Sequence, residues 1–252
     1  MTICIVGNSH VIALKEAADG FPWALSYFCA PGFNLADVIV QDGKLVGGSE
    51  RLRTALANWS AIGVGNILQE VELKASSAFI VVGLGLSPMH LASSYASVRL
   101  FNHMSRGMTM VSLDCLEEIL VARFRSTWSF KIARLLRANS DRPIVVVPQP
   151  ALIETPKTAV SQGAQKRRRR SRWQVLDDMN VGDMLFPLYE RALAKAADYE
   201  SVIAVPQPAT TMTGVRTKAE YQCKPDDYRH ANKSYGAHML GRLKSTLETI
   251  RL

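Results

Sequence analysis

Thr2-Ile-Cys-Ile-Val-Gly-Asn-Ser-His10 decides how the rest of the chain is read. The apolar, β-branched run ending on Gly7 predicts a buried strand. After it, Val11, Leu14, Lys15 and Ala18 follow helical spacing until Asp19-Gly20 stops them. A strand passing straight into a helix sets a pattern, and the pattern continues. Further strands are expected over 24–30, 78–82, 143–147 and 201–205, with helices over 50–59, 89–104, 114–138, 173–199 and 232–250. Segments 38–41 and 44–46 flank Asp42-Gly43, a two-residue hairpin signal. This alternation predicts a mostly parallel sheet with helices on both faces. Pro148-Gln-Pro150 and Pro206-Gln-Pro208 read as strand terminators.

The composition agrees with one globular unit. Of 252 residues, 48% are hydrophobic, 21% charged and 8% aromatic, the profile of a chain that folds around its own core. Nothing reads as a linker between two cores, so a single domain over 1–252 is expected. Cys4, Cys29, Cys115 and Cys223 are far apart and form no CxxC pair. That excludes a zinc ribbon or a secreted disulfide scaffold and fits reduced thiols. The longest stretch without Asp, Glu, Lys or Arg, 75–98, is interrupted by Pro88, His90 and several serines, and its apolar part is strand-sized. Asn8, Ser9 and His10 break the first apolar run too early for a signal peptide. A cytoplasmic location is expected.

The formal net charge of +8 is local in origin. Lys166, Arg167, Arg168, Arg169, Arg170 and Arg172 carry six positive charges, and without them the chain stands at +2. The surrounding segment 155–172 has the composition of a mobile surface loop. Its bland reading is a solvated charge run; the sharper one is contact with a polyanion such as an acidic glycan. A nucleic-acid-binding protein would rest on charge alone, because no recognition helix or stacking aromatics accompany the run.

In doubly wound sheets, ligands gather at the carboxyl ends of the strands. Ser9 stands at such an end, where it is either a helix N-cap or a nucleophile beside backbone N–H groups able to stabilise an anion. Asp227 and His230, three residues apart before the terminal helix, offer a base and the carboxylate to orient it. Asp226 competes with Asp227 for that role. Other sites find no support. Gly7-Asn-Ser-His-Val11 lacks the second glycine of the G-x-S-x-G elbow. Gly83-Leu-Gly85 misses the third glycine of the dinucleotide fingerprint, and neither a P-loop nor HExxH is present. His90, His103 and His238 have no partners at ligand spacing. No metal or cofactor is expected.

Taken together, Gly7-Asn-Ser-His10 and Asp227-Tyr-Arg-His230 resemble the first and last motif blocks of the SGNH (GDSL-type) hydrolase superfamily. Gly32 in Ala30-Pro-Gly32 matches the second block. The blocks fall in family order and span nearly the whole chain. The resemblance implies a three-layer α/β/α sandwich around a mostly parallel, flavodoxin-like five-stranded sheet. It also implies Ser9 as nucleophile, His230 as base, Asp227 as its orienting carboxylate, and the N–H groups of Ser9 and Gly32 as an oxyanion hole. The third block, normally Gly-x-Asn-Asp, departs from the pattern. Here it reads Gly83-Leu-Gly85-Leu86, so Gly85 stands where a side-chain donor is expected. Loss of such a donor costs on the order of 10²–10³ in rate unless it is replaced. Asn34 and Ser87 are candidate replacements, and with His10 they are candidate substrate contacts. The activity implied is cleavage or transfer of an O-acyl group, acetyl above all, on a carbohydrate or small hydroxylated molecule. The alternative is a non-catalytic glycan- or polyanion-binding protein on the same fold.

Overall fold

Ile3, Cys4, Ile5 and Val6 have no exposed surface. Strand alternation sends Ile3 and Ile5 into one apolar layer and Cys4 and Val6 into another. A strand covered on both faces needs helices on either side of its sheet. The computed structural model, which describes residues 1–32, 34–61, 67–100, 109–154, 181–225 and 227–250, supplies them. Strands β1 (Thr2–Gly7), β2 (Ala24–Cys29), β3 (Ala78–Val82), β4 (Ile144–Val147) and β5 (Ile203–Ala204) pair in the order β5-β4-β3-β1-β2. Every pairing is parallel. This is the flavodoxin-like order, with its switch point between β1 and β3. The sheet is wholly parallel. The Asp42-Gly43 hairpin, Val38–Gln41 with Lys44–Gly47, lies apart with Glu70–Glu72 in a separate antiparallel sheet.

Two layers of helices complete the sandwich. Val11 and Leu14 of α1 (Val11–Glu16) join Tyr235, Met239, Leu240, Leu243 and Leu247 of the last helix (Lys233–Thr249) over Ile3 and Ile5. On the opposite face, Cys4 and Val6 are covered by α2 (Glu50–Ala61), α3 (Met89–Tyr95), α4 (Leu113–Arg125), α5 (Trp128–Asn139) and α6 (Gly182–Tyr199). The last helix is α7. Each fully buried Leu or Ile in these layers contributes roughly 1.5–3 kcal/mol over its exposed state.

Two expected helices are corrected. The helix expected over 89–104 ends at Tyr95, and Val98–Leu100 pairs in parallel with Thr109–Val111 instead. Cross-strand pairing of a β-branched segment overrides the local helical spacing there. The region 114–138 is two helices, because the Ser126 hydroxyl donates to Arg123 O and the Thr127 hydroxyl to Phe124 O, both at 2.7 Å. Such hydroxyls compete with the backbone and end a helix that the apolar spacing would continue. The basic run, with Lys166 to Arg172, lies outside the described residues, as do the first residues of the helix expected from 173. Among the described residues, no helix is long and apolar enough to cross a membrane.

The sheet register prepares the site. Gly7 at the end of β1 pairs with Cys29 of β2 and Val82 of β3. Ser9, Gly32 and the turn 83–87 therefore leave the same carboxyl edge side by side.

Candidate active site

The chain leaves β1 through Asn8, which is buried although polar. Its Oδ1 accepts from the His10 backbone N–H at 3.3 Å, and its carbonyl accepts from Val11 N–H at 3.0 Å. With the Ser9 carbonyl, which accepts from Ile12 N–H at 3.2 Å, these bonds start α1 without the Ser9 side chain: His10 is the N-cap, and no side chain caps the helix. The Ser9 hydroxyl is turned elsewhere. Its Oγ lies 2.9 Å from Nε2 of His230, across 221 residues of sequence. On the other side of the ring, Nδ1 of His230 lies 2.8 Å from Oδ2 of Asp227. A carboxylate at Nδ1 fixes the proton there and leaves Nε2 as an acceptor for the Ser9 hydroxyl. The N-cap reading of Ser9 gives way to a hydrogen-bonded chain of serine, histidine and carboxylate.

Local bonds hold the carboxylate end of that chain. Asp227 Oδ1 accepts from the backbone N–H groups of Arg229 and His230, both at 3.1 Å. His230 O accepts from Cys223 N–H, and Asn232 caps α7 by accepting from Tyr235 N–H while donating to Glu220 O. Burial opposes ionisation of Asp227, but the hydrogen bonds from Arg229 and His230 outweigh it and hold its carboxyl below the usual carboxylate range. A depressed folded pKa contributes stability that is complete above the unfolded value and is lost as pH falls through the folded one. Asp227→Asn should therefore lower the thermal midpoint at pH 7, and the gap should narrow as the pH falls below the usual carboxylate range. Melting curves of both proteins across that range check this; a gap that does not shrink on acidification would contradict it. Asp226 lies outside the described residues.

The turn after β3 is unusual. Gly83, Leu84 and Gly85 all have positive φ, at 72°, 50° and 82°, although Leu84 is a branched residue with a buried side chain. A left-handed Leu costs roughly 1–2 kcal/mol, so the surroundings must hold it. Four donors do. Leu86 N–H holds Gly83 O at 2.9 Å, Ser129 N–H in the first turn of α5 holds Leu84 O at 3.2 Å, and Gln149 N–H holds Leu86 O at 2.9 Å. The His90 ring holds Gly85 O at 2.7 Å through Nε2, which is the task of this histidine. Across a trans peptide, N–H and C=O point opposite ways. The Gly85 N–H therefore points away from α5. A Cβ on Gly83 would come within 2.7 Å of Asn8 Oδ1 and 3.2 Å of His10 Cδ2, so this turn packs directly on the residues flanking Ser9.

The remaining candidates divide. Ser87 is buried, and its Oγ accepts from Gln149 Nε2 at 2.9 Å and from Met89 N–H at 3.1 Å; both bonds tie the turn to its neighbours. Gly32 has φ +65° and open space where a Cβ would stand. Asn34 opens the short turn Asn34–Asp37, and its side chain lies outside the described residues. His10 is brought in fully: its ring stacks on His230 with centroids 5.0 Å apart and planes at 30°. Sequence reasoning placed Asn8 in the first motif block without giving it a task of its own, and read Gln149 only as part of a strand terminator. The available signal was a polar residue just beyond a buried strand at the carboxyl edge. Gln207, in the second Pro-Gln-Pro, serves a different network, accepting from Ala151 N–H and donating to Thr211 and Thr217. Among the described residues, no group of three or more His, Cys, Asp or Glu side chains is placed to hold a metal ion.

No protein-family model and no curated protein matches the chain. Solved structures do resemble it. A GDSL-like lipase from Bacteroides thetaiotaomicron is 10% identical with a TM-score of 0.43, over 99% of this chain and 88% of that one. The periplasmic domain of a lipopolysaccharide acetyltransferase from Salmonella ser. Paratyphi A is 11% identical with a TM-score of 0.43, over 98% and 83%. An extracellular lipase from Streptomyces rimosus is 10% identical with a TM-score of 0.44, over 97% and 99%. Lipases and an acetyltransferase are thus among the solved structures to which this chain is similar.

Proposed function

We propose that the chain is a serine-dependent acyl hydrolase or acyltransferase acting on O-acyl, chiefly acetyl, esters of a carbohydrate or another small hydroxylated molecule. One observation carries this reading: Ser9 Oγ, both ring nitrogens of His230 and the Asp227 carboxylate form one continuous chain at 2.9 and 2.8 Å. Ser9 Oγ attacks the ester carbonyl while His230 Nε2 takes its proton. Asp227 holds the Nδ1 proton and stabilises the imidazolium that forms. The carbonyl oxygen becomes an oxyanion received by the N–H groups of Ser9, Gly32 and Gly85. Collapse of the tetrahedral intermediate expels the alcohol, which takes the proton back from His230, and leaves an acyl ester on Ser9. Water or an acceptor hydroxyl, deprotonated by the same ring, then releases the acyl group.

Intact-mass labelling by a fluorophosphonate tests the reading. A single adduct is expected on the wild-type protein and none on Ser9→Ala. No adduct on folded wild-type protein would transfer support to the second reading, a non-catalytic glycan- or polyanion-binding protein. That alternative is favoured by glycine at position 85, where the family block carries its donor asparagine.

A further inference from the structure

Gly85 leaves the site short of one side-chain donor, and the turn that carries it packs against His10 at Gly83. The His10 ring lies between His230, on which it stacks at 5.0 Å, and the start of the 83–85 turn, where a Cβ on Gly83 would stand 3.2 Å from its Cδ2. Its backbone is anchored by Asn8 Oδ1. An imidazole is thus lodged between the base of the reaction and the turn from which the missing donor would project. We propose that His10, in its neutral form, donates a hydrogen bond from Nε2–H to the oxyanion formed when Ser9 attacks, in place of the side chain that Gly85 lacks. The inference rests on the acyl-transfer reading above.

The tautomer follows from the surroundings. His10 Nδ1 is enclosed and has no hydrogen-bond partner among the described residues. A neutral imidazole carries one proton, and an orphaned buried N–H is rarer and more costly than an under-used acceptor. The proton therefore belongs on Nε2. Neutrality is also built in. Burial, first, and the neighbouring His230 push the His10 pKa down to about 4, with Arg229 acting in the same direction. Asp227 and the Gln149 side chain favour the charged ring too weakly to reverse this; with Nδ1 unpartnered, the bond to Gln149 falls at Nε2, and Nε2–H is shared with the oxyanion when that forms. A neutral donor suits the task, because a charged one would oppose the imidazolium that forms on His230 in the same step. Neutral imidazole is an established electrophile at carbonyl oxygens.

Steady-state kinetics on p-nitrophenyl acetate test the proposal in the full chain. His10→Phe keeps a ring to stack on His230 and removes the donor. Its kcat should fall about 10²–10³-fold with KM changed little. His10→Gln, which keeps a donor, should recover at least tenfold of that loss. The rescue variant is His10→Phe combined with Gly85→Asn. Asparagine tolerates positive φ better than other side chains and restores the donor of the family block, so kcat should rise again. Affinity for a trifluoromethyl ketone, which forms the same oxyanion, should follow kcat across the series. His10→Phe at wild-type kcat, or equal losses in Phe and Gln with no rescue by Asn, would overturn the proposal. If His10→Phe fails to fold, His10→Gln alone and His10→Gln combined with Gly85→Asn still decide it: the first should bind the ketone more weakly than wild type, and the second should recover part of that loss. Fluorophosphonate labelling of the wild type separates the two levels. An unlabelled wild type removes the underlying reading and this inference with it; a labelled wild type with an unaffected His10→Phe removes this inference alone.

Discussion

His230→Ala should lower kcat/KM for an activated acetyl ester by about 10⁴-fold or more, and Ser9→Ala should do the same. Both ring nitrogens of His230 are engaged, Nε2 with Ser9 and Nδ1 with Asp227, so in the proposed mechanism alanine removes the proton acceptor and isolates the carboxylate in one change. Without the acceptor, the Ser9 hydroxyl must release its proton to water, and the leaving alcohol receives none. If the three groups act as a unit, as proposed, the losses should not add. The double variant Ser9→Ala/His230→Ala should be about as slow as either single variant, the residue coming from binding and the backbone donors. Initial rates on purified protein, with circular dichroism to establish folding, measure this. His230→Ala within tenfold of wild type would exclude it as the base. A double variant far slower than both singles would mean that the two side chains contribute independently.

Gly236→Ala should destabilise the protein by ~3 kcal/mol, equivalent to a fall in thermal midpoint of roughly 6–12 °C. In an exposed helix interior the same change would gain about 1 kcal/mol. The sign reverses because α1 and α7 touch backbone to backbone. A Cβ on Gly236 would overlap the carbonyl of Ala13, with the Leu14 nitrogen 3.0 Å away. Main chain cannot yield by changing rotamer, so the helices must part. Ser9 stands just before α1 and His230 just before α7, so the 2.9 Å contact between them stretches with the helices. Gly236→Ala should therefore slow fluorophosphonate labelling as well as melt early. Gly241→Ala, one turn and a half further on with nothing near its notional Cβ, serves as the control and should be neutral or slightly stabilising. If Gly236→Ala melts with the wild type, the close approach of these helices does not hold the site.

The amino-acid sequence by itself determined the elements that depend on near neighbours. Apolar runs of strand length marked β1, β3 and β4, because a strand buried on both faces needs every side chain apolar. Asp42-Gly43 marked a hairpin through its backbone preference. Ser9, Asp227 and His230 were legible as residue types at element ends, together with the order of the blocks that contain them. What the sequence left open were contacts made by surfaces far apart in the chain. Local spacing continues a helix through Ser126-Thr127 and past Tyr95, where hydroxyl-to-carbonyl bonds and strand pairing end it. Nothing local distinguishes Ser9 as an N-cap from Ser9 as the partner of His230. That distinction depends on α1 and α7 packing together on one face of the sheet, which brings the two ends of the chain within a hydrogen bond. The seat of His10 against His230 and Gly83, and the pinning of the 83–87 turn by Ser129 and Gln149, were likewise decided only by tertiary structure. Each joins residues far apart in the chain that sheet order and helix packing bring together at the carboxyl edge, and the preferences of neighbouring residues do not encode that adjacency.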